Sequence, residues 1–195
     1  GAAWAFSELP LKLSAARRVA LFLLFLPVLI RVSKIALVGA SAFFLLLVVF
    51  NNLTDYGSNF EFVKHVLSMD TTFPGNAGMW RAFTSPLLHH AFYATIILWE
   101  AVTCALLGAG TWRLWQARTA PAAGWQTAKS LATLGFTLSL LQWYVAFISI
   151  GGEWFLMWQS KTWNGQDAAF RMFTLMGVSL VFLTLRNDDL PAAKS

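Results

Sequence analysis

The sixteen residues 35–50 (IALVGASAFFLLLVVF) carry no charge, and no chain of ordinary soluble composition accommodates several such runs. Extended back to Arg31, with the Lys34 ammonium reaching out along its own stem, this run supplies the roughly twenty residues a helix needs to cross about 30 Å of hydrocarbon. Three more runs lie at 86–110, 127–150 and 168–186. With 57% hydrophobic, 15% aromatic and only 12% charged residues, and a mean hydropathy of +0.60, the chain belongs in lipid. The expected fold is an all-α membrane protein: a four-transmembrane-helix bundle with an N-terminal interfacial or re-entrant helix and a helical outer loop.

Residues 1–18 mix Trp4, Phe6, Leu9, Leu11 and Leu13 with Lys12, Arg17 and Arg18, the composition of a short helix lying on a leaflet surface or of a loose terminus. The next twelve residues, 19–30, are apolar and include Pro27, too short a run to cross alone. They read as re-entrant, as interfacial, or as the first half of a long tilted helix. Arg31 and Lys34 interrupt what would be the core of a secretory signal, and no cleavage site comes after them. The organisation expected is an extension over 1–30, a four-helix domain over 31–187 with helices near 31–50, 86–110, 127–150 and 168–186, and a cytoplasmic tail over 188–195.

A formal charge of +5 does not imply nucleic acid, because no dense Lys/Arg cluster is joined to an aromatic platform. It sets orientation instead. With the N-terminus inside, ten bases (Lys12, Arg17, Arg18, Arg31, Lys34, Arg113, Arg118, Lys129, Arg186 and Lys194) fall on the cytoplasmic side against four (Lys64, Arg81, Lys161 and Arg171) opposite, so both termini are expected in the cytoplasm. The segments 51–85 and 151–167 then face outward together. The single cysteine, Cys104, lies inside an apolar run and leaves no intrachain disulfide to form.

The stretch 51–80 is unusual for a membrane protein, being long, polar and free of low-complexity sequence. Phe60, Phe62, Val63, Val66 and Leu67 share one helical face, which predicts a helix over 59–69 with Asp55, Ser58 or Asn59 as its cap. It would lie over the bundle and expose Glu61, Lys64 and His65. As a docking surface it would offer Asp55, Tyr56, Asn59, His65, Asp70, Trp80 and Arg81. The second aromatic loop would add Glu153, Trp158 and Trp163. The plainer reading of both is a folded lid.

Glu100 is the candidate for chemistry. It lies fourteen residues past Pro86, about 21 Å along a helix crossing about 30 Å, where an ionisable group faces protein and marks a ligand site, an ion path or a structural hydrogen bond. At 100° per residue, His89, Tyr93 and Glu100 fall within about 40° of one another. The third helix offers a facing seam of Gly135, Ser139, Gln142, Ala146, Ser149 and Glu153, the spacing of a close-packed face. Chain reversal brings Gln142 to the depth of Glu100, and a protonated Glu100 donating to Gln142 would lower the cost of burial. Interhelical bonding is the plain reading of this stripe; ligand or proton binding by His89, Tyr93, Glu100 and Gln142 is the sharper one.

No cofactor is expected. Bis-histidine haem needs histidines on facing helices, and the first, third and fourth helices contain none. His65, His89, Asp55 and Asp70 have no metal-ligand spacing, and Ser85 beside His89 and His90 lacks a nucleophile signature. No enzyme is implied.

The runs NNLTDYGSNFEFVKHVLSMDTTFPGN and MWRAF, Glu100, and GGEWFLMWQSKTWNGQDAAFR resemble the bacterial family of predicted small integral membrane proteins known only by a domain-of-unknown-function label. The resemblance covers about residues 31–187 and implies a four-helix bacterial inner-membrane protein. Residues 1–30 look like an extension beyond the family's usual start. The function expected is an accessory or structural subunit that contacts lipid and presents its outer loops to other membrane-protein subunits or to a second copy. The alternative is small-molecule or proton binding or transport through the stripe that reaches Glu100.

Overall fold

The computed structural model describes residues 15–190, and side chains from residue 25 onward. The interfacial helix expected over 1–18 falls largely outside this range. Helix α1 (Ala15–Thr54) is continuous through Pro27, so of the readings open for 19–30 the structure has the unbroken one, a single helix shared with residues 31–54. One residue, Asp55, separates it from α2 (Tyr56–Ser68), which therefore starts three residues before the expected position. Ser58 Oγ donates to Asp55 Oδ2 at 2.7 Å, and no side chain caps the helix backbone.

A 3₁₀ turn (Ala77–Arg81) precedes α3 (Pro86–Gln116), which begins with proline at its first turn, where the missing N–H is not needed. The region 111–126, between the second and third expected helices, is mostly helical: α3 runs on to Gln116, and α4 spans Ala122–Ala128. Helix α5 (Ser130–Leu141) continues directly into a π-helical segment, Gln142–Trp154. A short 3₁₀ turn (Met157–Gln159) then leads to α6 (Gln166–Thr184). Among the described residues, four stretches are long and apolar enough to cross a membrane: Phe25–Thr54, Pro86–Gln116, Ala122–Trp154 and Gln166–Thr184.

Helix α3 is central, packed against α1 on one side and α5 on the other, while α6 rests on α5 and the π segment. The reason is visible in its seam. His89, Tyr93, Ile97, Glu100, Thr103, Leu107, Gly110 and Leu114 are its buried residues, at spacings of three or four that keep one face turned to its neighbours. Most large apolar side chains elsewhere, such as Phe43, Leu98, Phe170 and Val178, are exposed on the outside of the bundle, as lipid requires.

The α3–α5 contact is close because two glycines allow it. A Cβ at Gly110 would stand 2.8 Å from the Ala132 backbone nitrogen, and one at Gly135 would stand 2.9 Å from the Leu107 side chain. Gly110→Val is expected to destabilise the bundle by about 1–3 kcal/mol through overpacking. A lowered melting temperature in mild detergent measures this, with Gly108→Val as comparison, since a Cβ at Gly108 meets nothing within 4 Å.

Apolar packing divides into two clusters. One centres on Val38, Leu45, Leu107, Leu114, Trp125 and Phe136, towards the end that carries α4 and residues 185–190, here the tail end. The other joins Val63 and Leu67 of α2 to Tyr93, Ile97 and Phe155, towards the opposite, loop end.

Candidate functional site

Between the two clusters lies Glu100, 2% exposed. Gln142 Nε2 donates to its Oε1 at 3.2 Å, and Asn52 Nδ2 donates to its Oε2 at 2.7 Å. The amides donate and the carboxyl accepts, the reverse of the direction expected from sequence. Asn52 in turn takes hydrogen bonds on its Oδ1 from Asn59 Nδ2 at 2.6 Å and from the Tyr93 hydroxyl at 3.3 Å. One network thus joins α1, α2, α3 and the π segment around a single carboxyl. Asn52 was not a sequence candidate because the first helix was expected to stop at residue 50; four more helical residues turn it inward.

His89 has a different role from the rest of the stripe. Its Nε2 lies 2.7 Å from the Phe83 carbonyl oxygen, and the Phe83 N–H donates to Leu67 O at 2.8 Å. It fastens the connection after α2 to the start of α3, away from Glu100.

The seam expected on the third helix holds only in part. Gly135, Ser139 and Gln142 are buried, whereas Ser149 and Glu153 are exposed and Gly151 and Gly152 are buried instead. At Gln142 the chain changes to i→i+5 bonding, shown by Phe155 N donating to Ile150 O at 2.9 Å. The wider turns rotate the later residues off an α-helical face. π-helical turns are uncommon and gather at functional sites.

Beside that change of winding is a cavity of about 330 Å³. Phe62, Val63, Val66 and Leu67 of α2 roof it, Ala91, Phe92, Thr95 and Trp99 of α3 form one wall, and Ala146, Phe147 and Ile150 form the other. Gln142, the side chain bonded to Glu100, also lines it. The walls are otherwise almost wholly apolar, and Trp99 turns its one polar atom away, donating from Nε1 to Leu138 O at 3.0 Å.

The roof is held by contacts between the two loops. Thr71 Oγ1 donates to Ser160 Oγ at 2.8 Å, and the Phe73 N–H donates to Gln159 Oε1 at 3.0 Å. His65 stacks on Trp163 at 4.7 Å between centroids, and its Nδ1 lies 2.8 Å from Asp70 Oδ2. Trp163 also meets Phe62 edge-on. Tyr56 pairs its hydroxyl with His90 Nδ1 at 2.8 Å. Further out, Arg81 lies over both Trp80 and Trp154, and Trp158 meets Phe73. Asp55 and Asn59 are exposed at the start of α2. Glu61 accepts from Lys64 at 2.9 Å, which holds its carboxyl below the ordinary range. Among the described residues, no group of three or more His, Cys, Asp or Glu side chains is placed to hold a metal ion.

A second polar cluster, unforeseen in the sequence, sits at the tail end. Lys34 does not reach out to water: it is 1% exposed and donates to Asp188 Oδ2 at 2.9 Å and to the Leu185 carbonyl at 2.5 Å. Lys129 approaches the same carboxylate at 3.3 Å, and Trp125 Nε1 donates to it at 2.6 Å. Arg31, also buried, lies over the Trp125 ring and donates to the carbonyls of Asp188, Arg118 and Ala120. Residue 188 is therefore not the start of a free tail but the fastening of a strap that continues from α6. Asp in a tail and Lys near a helix end gave no sign of pairing, being 154 positions apart.

Four apolar spans and an interior carboxyl beneath a helical lid define an all-α integral membrane protein. A family model described as "Predicted small integral membrane protein (DUF2165)" matches residues 30–186, and the chain belongs to that family, a domain of unknown function. No curated protein and no solved structure matches it.

Proposed function

We propose that this protein takes a small lipophilic molecule from the bilayer into the cavity beneath α2. One observation carries the reading: an apolar space of about 330 Å³ reaches down to Gln142, whose Nε2 is committed to Glu100. That volume lies within the range of small-molecule sites, and one convergent polar group among apolar walls is their usual form. The amide oxygen of Gln142 is left as the acceptor that a ligand hydroxyl or amine would meet. Asn52, itself bonded by Tyr93, holds the carboxyl behind it, and His89 holds the roof.

Ala146→Trp, which fills the cavity and leaves every residue of the Glu100 network in place, is the test. Wild-type protein purified in mild detergent is expected to carry about one apolar molecule per chain by native mass spectrometry and solvent extraction. The variant is expected to lose it while melting normally. Identical bound species in the two proteins would reject the proposal.

The setting proposed is a bacterial inner membrane, and charge favours the orientation with the tail end in the cytoplasm. Among residues 25–190 that end holds six bases (Arg31, Lys34, Arg113, Arg118, Lys129 and Arg186) against Asp188 and Asp189, while the loop end holds four (Lys64, Arg81, Lys161 and Arg171) against five acids (Asp55, Glu61, Asp70, Glu153 and Asp167). A second reading, an accessory subunit, is favoured by Trp80, 76% exposed beside Trp154 and Arg81. Aromatic residues with arginine are common anchors of interfaces. Native co-purification tests it: a lone chain without companion subunits or a second copy would exclude that role.

A further inference from the structure

A shallow groove of about 430 Å³ runs along the outer side of α6, at the other end of the molecule from the cavity. Phe173, Gly177, Val178, Val181, Phe182 and Leu185 line it. Residues 173, 177, 181 and 185 recur every four positions, so the groove tracks one face of the helix. Twelve residues at 1.5 Å each make it about 18 Å long, close to one leaflet, half of the roughly 30 Å hydrocarbon core. Val178 and Val181 are more than half exposed within it.

The head of this groove is the start of the strap, and it is positive. Leu185 turns its carbonyl inward to Lys34 at 2.5 Å and Lys129 at 3.5 Å, and the Lys34 ammonium stands 5.5 Å from the Phe182 ring. Behind it Lys34 and Lys129 share one buried carboxylate, Asp188, while the buried Arg31 is held by the Asp188 backbone carbonyl. Among the described buried groups here, three cations stand against one anion. Arg31 Nη2 is buried without a hydrogen-bond partner among the described residues. Asp189, the other acid at this end, is exposed and accepts from Gln126. Arg186, the residue after Leu185, is exposed.

We propose that this groove and its head form a site for one anionic phospholipid of the tail-end leaflet, with an acyl chain along α6 and the phosphate at Arg186. An apolar channel of one-leaflet length ending at positive charge matches such a lipid in both shape and sign. A zwitterionic lipid has the chains but carries its own cation, which this cluster repels. A second copy docked symmetrically through α6 would bring its own surplus of cations to the same place. The site is separate from the cavity beneath α2, and either can fail without the other.

The test is native mass spectrometry of the full chain, stripped in detergent and titrated with phosphatidylglycerol or phosphatidylcholine of identical acyl chains. Phosphatidylglycerol is expected to bind at one per chain, about tenfold more tightly than phosphatidylcholine. Arg186→Gln should weaken phosphatidylglycerol by about fivefold, the effect of one basic residue at an anionic surface, and leave phosphatidylcholine unchanged. Val181→Trp, which fills the groove at an exposed position, should weaken both lipids. Equal binding of the two lipids by wild type overturns the proposal, as does an Arg186→Gln protein that keeps the full preference. Stabilisation by inorganic phosphate alone equal to that by phosphatidylglycerol would show that the groove takes no part and would also overturn it. So would a wild-type dimer that excludes lipid.

Discussion

Asp188→Asn is expected to destabilise the protein by about 3–5 kcal/mol, the usual effect of removing one member of a buried ion pair. The substitution keeps the shape and an acceptor for Trp125, but it leaves Lys34 and Lys129 buried with no carboxylate. In mild detergent the melting temperature should fall by roughly 10 °C. Asp189→Asn, at an exposed carboxylate that accepts from Gln126, should change stability by no more than about 0.5 kcal/mol. If the two variants melt alike, the ion cluster is not what holds the strap. The same carboxylate predicts a pH dependence. Burial alone would raise its pKa, but hydrogen bonds from Lys34 and Trp125 and the charges of Lys129 and Lys34 outweigh this and hold it below the ordinary aspartate value. A depressed folded-state pKa gives stability that is present above the unfolded value of about 3.9 and is lost as pH falls through the folded one. Acid unfolding below about pH 4 should therefore be steeper in wild type than in Asp188→Asn.

Glu100→Ala has the second-largest expected effect. It removes the acceptor from two buried amide donors, Asn52 Nδ2 and Gln142 Nε2. Orphaned donors in soluble proteins cost about 1–3 kcal/mol each, whereas hydrogen bonds between transmembrane helices average about 0.6 kcal/mol. The membrane figure governs here, because amides freed within lipid find other partners, but the deletion also leaves a cavity. The expected loss is about 2 kcal/mol once that cavity is added. Glu100→Gln should recover most of it, because the Gln142 amide can turn over to accept from the new side chain. If Glu100→Gln melts like wild type but loses the ligand of the cavity, the Gln142 oxygen that the turned amide withdraws from the cavity takes part in binding. If Glu100→Ala melts like wild type, the network is not a structural joint.

The spans were legible because their signal is simple: long apolar runs, and a polar residue such as Glu100 that lipid would reject. Its pairing with Gln142 came from depth alone, since two antiparallel helices joined near one membrane face bring equal distances together. What could not be read were features that local pattern does not encode. Asn52 looked like the start of a loop because asparagine is a poor helix former, yet the helix continues and packs. The π segment is invisible to a 3.6-residue period, and so Ser149 and Glu153 fell on the wrong face. Arg31, Lys34 and Lys129 looked like bases marking an interface. Their burial depends on a residue from the far end of the chain, a long-range pairing that no window of sequence contains.

The strap also bears on how the protein is made. Lys34 emerges 154 residues before Asp188, and at 5–20 residues per second the carboxylate arrives on the order of ten to thirty seconds later. During that interval Arg31 can bond the carbonyls of Arg118 and Ala120, but Lys34, whose acceptors are Leu185, Asn187 and Asp188, has none of them, so the first helix holds it at the membrane surface until residue 188 arrives. Closure of the tail end is thus a late event of assembly, after every span has been made. A chain truncated before residue 188 would insert all four spans and still display unshielded cations, the kind of surface by which quality control could tell an unfinished molecule from a finished one.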